Sequence, residues 1–383
     1  MAIYNLSGAA LASAYSRAGT SLDKAYDRSG TEVFSSQAID YSTYPEALEY
    51  AYQRMMSEYG TDTFAFALFT DNHGDIREGR TDFFQTIGSA ADWTKLFMID
   101  MGDTTNLNTY SEVQAQTSSW LQNVVSKMDA AGIPQNRRIQ MMGNHDVWAK
   151  DADNETYGMT DHSWLLSKYF KNTGATHYYD NDIVQVDSAH GVKIVGVGAW
   201  DFDTSLGGNS HYAINGSHME KIIEMLSAVD NYDIIWLSHI VPVKNYSSRY
   251  TYNSFGDGVG AIGEPTAAGT SNVSSLADVS IDSLLSARNN HTSGTINDSY
   301  GISHSYDFTN TNGRILCSLS GHQHCDIFGY SALDGMLVYV FDCYYQTPKG
   351  CYFGLVDNNE SKLKLWKIDQ TPMVYEYELP LRV

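Results

Sequence analysis

The sequence has little positive charge for its length, and it lacks a long hydrophobic run. Its 383 residues include 24 Lys and Arg against 45 Asp and Glu, which gives a formal net charge of −21. A polyanionic partner selects a basic surface, so binding to nucleic acid or to an anionic membrane is disfavoured. No stretch reaches the roughly 18 consecutive apolar residues that a membrane-spanning helix needs.

The first residues also lack the basic segment and apolar segment of a secretory signal. A cytoplasmic protein is therefore the default expectation, with association with a virion or export by another route as alternatives. Cysteine is scarce: the four residues are Cys317, Cys325, Cys343 and Cys351, too few for a disulfide scaffold. Cys343 and Cys351 flank a turn at 347–350, and they are either a disulfide across a hairpin or two reduced thiols.

The chain has enough apolar material for a sizeable core, since 43% of its residues are hydrophobic and 18% are charged. The first 34 residues repeat with a period of 11, in which tyrosine, glycine and an apolar residue recur in phase: Tyr4, Tyr15 and Tyr26, then Gly8, Gly19 and Gly30, then Leu11, Leu22 and Val33. Residues 1–40 are thus predicted to be a separate segment, either an attachment or oligomerisation module or a leader without a partner. Residues 41–383 form the remaining domain.

Short apolar runs alternate with amphipathic segments along this domain, which predicts an α/β layered fold. The predicted strands are 63–69, 96–100, 138–142, 194–198, 234–237 and 315–319, and the predicted helices are 44–59, 111–131 and 218–229. Residues 244–313 are rich in Gly, Ser, Thr and Asn, and they predict an insertion over the active face with one helix at 280–288. The tail predicts strands at 336–341, 351–356 and 362–368, with a closing hairpin and a second sheet.

Polar blocks follow several of these strands. Ligands in open α/β sheets bind beyond the carboxyl ends of strands, where these blocks fall. The blocks supply two carboxylates, one amide and four imidazoles: Asp71, His73, Asp103, Asn144, His239, His322 and His324. Oxygen and imidazole ligands suit Mn, Fe or Zn. Seven ligands exceed one site, and they fit two metal ions about 3.5–4 Å apart that share a carboxylate.

The ordered blocks resemble the calcineurin-like metallophosphoesterase family over about residues 63–370. The matching blocks are Asp71-Asn72-His73, Gly102-Asp103, Gly143-Asn144-His145-Asp146, His239 and Gly321-His322-Gln323-His324. The resemblance implies a two-sheet β-sandwich flanked by helices in four layers. It also implies that Asp103 bridges two metal ions. Asp71, His73 and His324 complete the first site, and Asn144, His239 and His322 complete the second.

The same resemblance implies that a hydroxide bridging the metals attacks phosphorus. His145 then contacts the phosphate and protonates or stabilises the leaving group. Asp146 is a candidate for orienting the His145 ring, and the sequence leaves open whether it does so. Two positions depart from the family pattern: Asn106 stands where a second carboxylate is often found, and Pro242 is displaced from its usual place after the histidine. Neither departure removes a ligand.

Three functions are compatible with this sequence. The first is hydrolysis of a small phosphate ester, with a phosphodiester favoured over a phosphomonoester. The second is an attachment or structural protein that retains a metal site, with residues 1–34 as its attachment or oligomerisation device. The third is a metal-dependent nuclease, which the scarcity of basic residues disfavours. His211 and His218 are further candidates for the site, because they follow the loop Gly207-Gly208-Asn209.

Overall fold

The computed structural model describes most of the predicted domain. The described residues are 24–26, 32–40, 42–73, 88, 91–104, 118–143, 146, 148–150, 157–159, 174–178, 182–198, 201–202, 212–242, 246–252, 281–321, 326–331, 333–342, 351–368 and 373–383. Residues 1–23 of the repeat, with Asn144, His145, His322 and His324, lie outside them. Within the part of the chain that is described, no helix is long and apolar enough to cross a membrane.

The first of two large sheets has eight strands in the order β1-β2-β22-β21-β20-β3-β4-β5. Its strands are β1 (Lys24–Tyr26), β2 (Glu32–Asp40), β3 (Thr63–Phe69), β4 (Leu96–Asp100), β5 (Arg138–Gln140), β20 (Cys351–Asp357), β21 (Lys362–Ile368) and β22 (Met373–Pro380). Strands β3, β4 and β5 are parallel, so their carboxyl ends lie on one edge. The other strands pair antiparallel.

The second sheet also has eight strands, in the order β14-β18-β19-β17-β13-β10-β9-β8. Its strands are β8 (Thr176–His177), β9 (Ile183–Asp187), β10 (Val192–Val197), β13 (Asp233–Ser238), β14 (Tyr246–Tyr252), β17 (Ile315–Ser320), β18 (Asp326–Ser331) and β19 (Leu337–Val340). The central strands β10, β13, β17 and β19 are parallel. Antiparallel strands close both sides.

Smaller elements complete the described part of the chain. Three two-stranded ribbons are β6 (Trp148–Lys150) with β7 (Tyr157–Met159), β11 (Asp201–Phe202) with β12 (Tyr212–Ala213), and β15 (Ser293–Asn297) with β16 (Ser303–Asp307). The helices are α1 (Tyr44–Glu58), α2 (Ser118–Ala130), α3 (Gly216–Leu226) and α4 (Ile281–Asn289), with a short 3-10 helix at Gln135–Arg137.

The two sheets share a hydrophobic core, which is compatible with a sandwich. Strand β3 contributes side chains to both faces of the first sheet, because successive side chains of a strand point to opposite sides. Phe64, Phe66 and Leu68 join a cluster with residues of the second sheet. Ala65 and Ala67 face the outer layer with α1 and α2. A strand buried on both faces reads as a continuous apolar run, and this is why its position could be predicted.

Helices cover the outer faces of both sheets. Helix α1 begins where the Thr43 side chain accepts a hydrogen bond from the Glu46 amide at 3.4 Å, and Leu48 and Met55 are buried on its inner face. On the other side, α3 and α4 pack with the outer face of the second sheet. The fold is therefore mixed α/β with two large mixed sheets, which confirms the coarse prediction.

Several boundaries differ from the predictions. The helix predicted at 111–131 spans Ser118–Ala130 in the described residues, and 111–117 lie outside them. The tail hairpin of β20 and β21 is present, but it pairs with β3 in the first sheet rather than forming a second sheet. Strand β22 was not predicted. Cys351 is buried, and its Sγ lies 3.1 Å from the Tyr44 hydroxyl. Cys343 lies outside the described residues, so the choice between a disulfide and two thiols stays a prediction.

The segment at 244–313 contains regular elements where it is described, and the helix predicted at 280–288 is present as α4. Its role as an insertion over the active face stays a prediction. Strand β14 extends the second sheet, and α4 packs in its outer core. The buried Arg288 guanidinium fixes α4 by donating to the carbonyls of Leu226, Asn312 and Gly313. Composition alone does not predict the packing of this segment, because polar side chains make the hydrogen bonds that hold it. Residues 253–280 lie outside the described residues.

The amino-terminal segment is joined to the first sheet where it is described. Strand β2 pairs antiparallel with β22 from Ser36 to Asp40, across the predicted boundary at residue 40. Strand β1 then pairs with β2 and forms the sheet edge. The division into residues 1–40 and 41–383, and an attachment role for residues 1–34, stay predictions.

Candidate metal centre

The site is built where β3, β4 and β13 end. Asp71 and His73 follow β3, Asp103 follows β4, and His239 comes directly after β13. The first two strands belong to one sheet and the third to the other, so the site lies where the carboxyl edges of the two sheets meet. All four side chains are buried, and each is at most 6% exposed. This is the location that open α/β sheets use for ligands.

Two carboxylates and one imidazole converge closely enough to share a cation. One ligand atom from each of Asp71, Asp103 and His239 lies within 4.8 Å of the others. Nε2 of His239 is 3.1 Å from Oδ2 of Asp103 and 3.9 Å from Oδ1 of Asp71. Nε2 of His73 lies 4.0 Å from Oδ1 of Asp71 and 3.9 Å from Oδ2 of Asp103. Four of the seven predicted ligands are thus brought together.

A hydrogen bond between His239 and the backbone fixes which of its ring nitrogens faces the carboxylates. Nδ1 lies 2.8 Å from the Met101 carbonyl oxygen. Because a carbonyl only accepts hydrogen bonds, Nδ1 carries the hydrogen and Nε2 is directed at Asp103. Metal-binding histidines show this pattern, in which the second ring nitrogen donates to a carbonyl or carboxylate. Thr70 similarly orients Asp71 through a 2.6 Å bond to Oδ2.

The backbone at the site is held in an unusual conformation. Asp71, His73 and Asp103 have φ values of 51°, 47° and 53°, in the left-handed region that L-residues rarely occupy. The amide of Asp71 donates to the Gly102 carbonyl at 2.9 Å, and that of His73 donates to the Asp103 carbonyl at 2.8 Å. Such conformations cost about 1–3 kcal/mol each and cluster at functional sites. The hydrogen bonds between the two loops offset this conformational free energy and keep the ligands in place.

The electrostatics of the site favour a positive charge. Burial lowers the pKa of His239, but the carboxylates of Asp103 and Asp71 outweigh it and raise the pKa to about 10. Two carboxylates and a ring nitrogen therefore need a cation between them, either a proton or a metal ion. The residues fit a metal because their donors are carboxylate oxygen and imidazole nitrogen, the ligands preferred by Mn, Fe and Zn.

A further carboxyl group lies behind the site. Burial and the nearby Asp146 carboxylate raise the pKa of Asp100 to about 7, although Thr104 and the Gly102 amide donate to it. Asp100 ends β4, and its bonds to residues 102 and 104 shape the turn that carries Asp103. Asp100 stands at the end of an otherwise apolar strand, and no sequence motif marks it.

Glycines allow the loops to approach the ligands. A Cβ on Gly143 would collide with the Oδ1 atom and backbone nitrogen of Asp103 and lie 2.8 Å from its Cγ. A Cβ on Gly321 would meet Thr70 and come within 2.9 Å of Oδ2 of Asp71. Gly143 directly precedes Asn144, and Gly321 directly precedes His322. The described ends of both predicted ligand loops therefore lie against the site.

Gly143→Ala is expected to disturb the site without removing a ligand. The added methyl group displaces Asp103, so metal affinity falls and the protein loses about 1–3 kcal/mol of stability by overpacking. Gly60→Ala is the matched control, since a Cβ there meets nothing within 4 Å. Calorimetric titration with Mn²⁺ and thermal unfolding check both variants. Equal Mn²⁺ affinity in Gly143→Ala and the wild type would contradict this close approach.

The remaining predicted site residues divide into two groups. Asn144, His145, His322 and His324 lie outside the described residues, as do Asn106 and His211. Asp146 is buried, and its Oδ2 accepts a 2.8 Å bond from the Gly143 amide, so the two described residues that flank 144 and 145 are bonded to each other. Its orientation of His145 stays a prediction. His218 is buried, with Nε2 2.9 Å from Oδ2 of Asp182.

Comparisons with known proteins add little to this geometry. No protein-family profile matches the sequence, and no curated protein matches it significantly. The chain is similar to a solved structure described as GAP50, the anchor in the inner membrane complex of Plasmodium. The two share 11% sequence identity with a TM-score of 0.39, over 84% of this chain and 90% of that chain. At that score nothing about the activity of this chain follows.

Proposed function

We propose that this protein hydrolyses small phosphate esters at a centre of two metal ions. The observation that carries the proposal is the convergence of Asp71, Asp103 and His239, buried, at the junction of two sheets. A second support is the order of the sequence blocks, each of which follows a strand that ends at this edge. Asn144 comes after β5, and His322 and His324 come after β17.

We also assign the arrangement of layers to the metallophosphoesterase type. The support is the shared core between two mixed sheets, with helices on both outer faces. In this assignment Asp103 is the shared ligand, because its Oδ2 is close to both His73 and His239. Its position between these imidazoles fits a bridging carboxylate.

A pair of divalent cations, when bound, lowers the pKa of coordinated water and offsets the charge of the phosphate. The chain's own residues supply the rest of the chemistry. Asp71, His73, Asp103 and His239 hold the cations in a buried setting, and His145 is the group assigned to protonate the leaving oxygen. The interlocked left-handed turns keep the ligands in place before substrate arrives, so little reorganisation is needed during the reaction.

The charge of the chain favours a small substrate. A net charge of −21 opposes a long polyanion, whereas a cationic centre still attracts a single phosphate group locally. We therefore favour a small phosphodiester over nucleic acid, with a phosphomonoester as the alternative. Manganese, iron and zinc all match the donor set.

Removal and return of metal tests this function. Protein stripped with a chelator is expected to lose turnover of a chromogenic phosphodiester and phosphomonoester. Addition of Mn²⁺, Zn²⁺ or Fe²⁺ should restore it as occupancy approaches about two ions per chain. The ester turned over faster identifies the substrate class. Turnover that survives complete metal removal, or two bound ions without turnover of either ester, would contradict the proposal.

A further inference from the structure

A closed ring of hydrogen bonds joins the two sheets beside the site. Nζ of Lys367 lies 2.7 Å from Oδ2 of Asp326 and 2.8 Å from Oδ2 of Asp342. The Tyr352 hydroxyl donates to Oδ1 of Asp326 at 2.6 Å and accepts from the Asp342 amide at 3.0 Å. The Tyr339 hydroxyl adds a 3.0 Å bond to Oδ1 of Asp326. The four groups of the ring are thus Lys367, Asp326, Tyr352 and Asp342.

The ring lies at the same edge as the metal centre. Tyr352 on β20 pairs with Leu68 near the end of β3, three residues before Asp71. Lys367 on β21 pairs with Tyr352. Asp326 begins β18 and Asp342 follows β19, so these two groups come from the second sheet. The ring therefore ties the first sheet to the second where both approach the site.

The charge of the ring argues against stability as its main role. It contains two carboxylates and one ammonium group, and Lys367, Asp326 and Tyr352 are at most 1% exposed. Burial acts to lower the pKa of Lys367, but the two carboxylates raise it above its ordinary value, so the ammonium stays charged. Nonpolar residues of similar volume often stabilise a core as well as a buried ion network. What such a network adds is a fixed geometry.

The position of Asp326 in the sequence shows which segment of the chain the ring holds in place. Asp326 is two residues after His324, and Gly321 directly precedes His322. Gly321 is anchored by its amide, which donates to the His239 carbonyl at 3.1 Å, and Phe341 donates to the Ser320 carbonyl at 2.8 Å. The chain that carries the two predicted histidine ligands thus begins at one fixed point and ends at the ring.

We propose that Lys367, Tyr352 and Asp342 are positioning residues that hold Asp326, and through it His322 and His324, for metal binding. The proposal rests on the proposed function for the role of the two histidines. Lys367 and Tyr352 are far in sequence from every ligand block, so the motifs alone do not point to them. They act through Asp326 and touch neither metal nor substrate.

The test uses full-length protein, Mn²⁺ as the metal probe and two variants with matched controls. Tyr352→Phe keeps the packing and removes the hydroxyl, and Lys367→Met opens the ring. The control for the tyrosine is Tyr52→Phe, whose hydroxyl accepts from the Asp92 amide on the outer face. The control for the lysine is Lys193→Met, a buried lysine paired with Asp230 at 2.7 Å near the amino ends of the parallel strands.

Both ring variants are expected to bind Mn²⁺ about 10–100-fold more weakly, the usual effect of losing a group that orients metal ligands. Amide exchange in metal-free protein should also rise about tenfold in peptides covering 321–326 but not in β13, as expected for loss of one hydrogen bond. The controls should change neither quantity, although Lys193→Met loses stability. This combination separates positioning from a general loss of stability.

The two readouts distinguish failure of this proposal from failure of the proposed function. If the wild type binds two Mn²⁺ and the ring variants bind them equally well, the ring does not position the ligands. If the wild type binds no metal, the proposed function is wrong, and the exchange data alone decide whether the ring holds 321–326. Unchanged exchange in Tyr352→Phe would then overturn the positioning role.

Discussion

Asp103→Ala is expected to abolish metal binding at both positions and turnover with it. Asp103 is the assigned bridge, and its Oδ2 lies 3.1 Å from Nε2 of His239 and 3.9 Å from Nε2 of His73. Groups that only orient metal ligands already contribute about 10–100-fold in affinity or activity, so the loss of a shared ligand should exceed about 100-fold. Metal content per chain and turnover of the preferred ester are the measurements.

The control for this variant is Asp62→Ala. Asp62 is exposed and lies just before β3, at the opposite edge of the sheet from Asp71. It should keep the metal content and turnover of the wild type. Circular dichroism confirms that both variants fold. If Asp103→Ala retained about two ions per chain, the assignment of a bridging carboxylate would be wrong.

His145→Ala is expected to separate turnover from metal binding. His145 is assigned to the leaving group rather than to a metal, so both ions should stay bound. Turnover should fall by about 10²–10⁴, the usual contribution of a positioned proton donor. The effect should be larger for an ester whose leaving group is a poor one, because such a group depends most on protonation. Turnover of two esters with different leaving groups measures this.

His177→Ala is the matched histidine control, because His177 is exposed on the edge strand β8. It should alter neither turnover nor metal content. Loss of both metal ions from His145→Ala would show that this residue is a ligand and not a proton donor. Equal effects on the two leaving groups would also argue against protonation of the leaving oxygen.

The elements that could be predicted from sequence are strands buried on both faces and helices with one apolar face. Residues 64–69 of β3 and 96–99 of β4 are continuous apolar runs, and Ala47, Leu48 and Ala51 recur at helical spacing in α1. The pairing of these strands could not be predicted, since it depends on contacts between distant segments. Strand β2 joining β22 at a sheet edge is the clearest case.

The packing of the polar segment at 281–313 could not be predicted, for a different reason. Its strands β15 and β16 are mostly exposed or half-buried, so they lack an apolar run. Its helix is held by Arg288, whose bonds to three carbonyls leave no trace in a hydrophobic pattern. The sequence therefore predicted the helix of this segment but not the strands β15 and β16.

Part of the candidate site could be predicted from the sequence. Asp71, His73, Asp103 and His239 each follow a predicted strand, and the structure brings them together. The left-handed backbone at three of them was not predicted, because it arises from bonds between two loops. The ring around Lys367 was missed as well, since its members come from four separate strands or strand ends.

Anomalous X-ray diffraction from crystals grown with Mn²⁺ tests the central claim most directly. The account predicts two peaks about 3.5–4 Å apart, both within coordinating distance of Asp103. Asp71 and His73 should contact one ion, and Nε2 of His239 should contact the other. A contrary result would be the absence of any peak among these residues, with Nε2 of His239 hydrogen-bonded directly to Asp103. That outcome would make a proton, rather than a metal ion, the cation that these buried carboxylates hold.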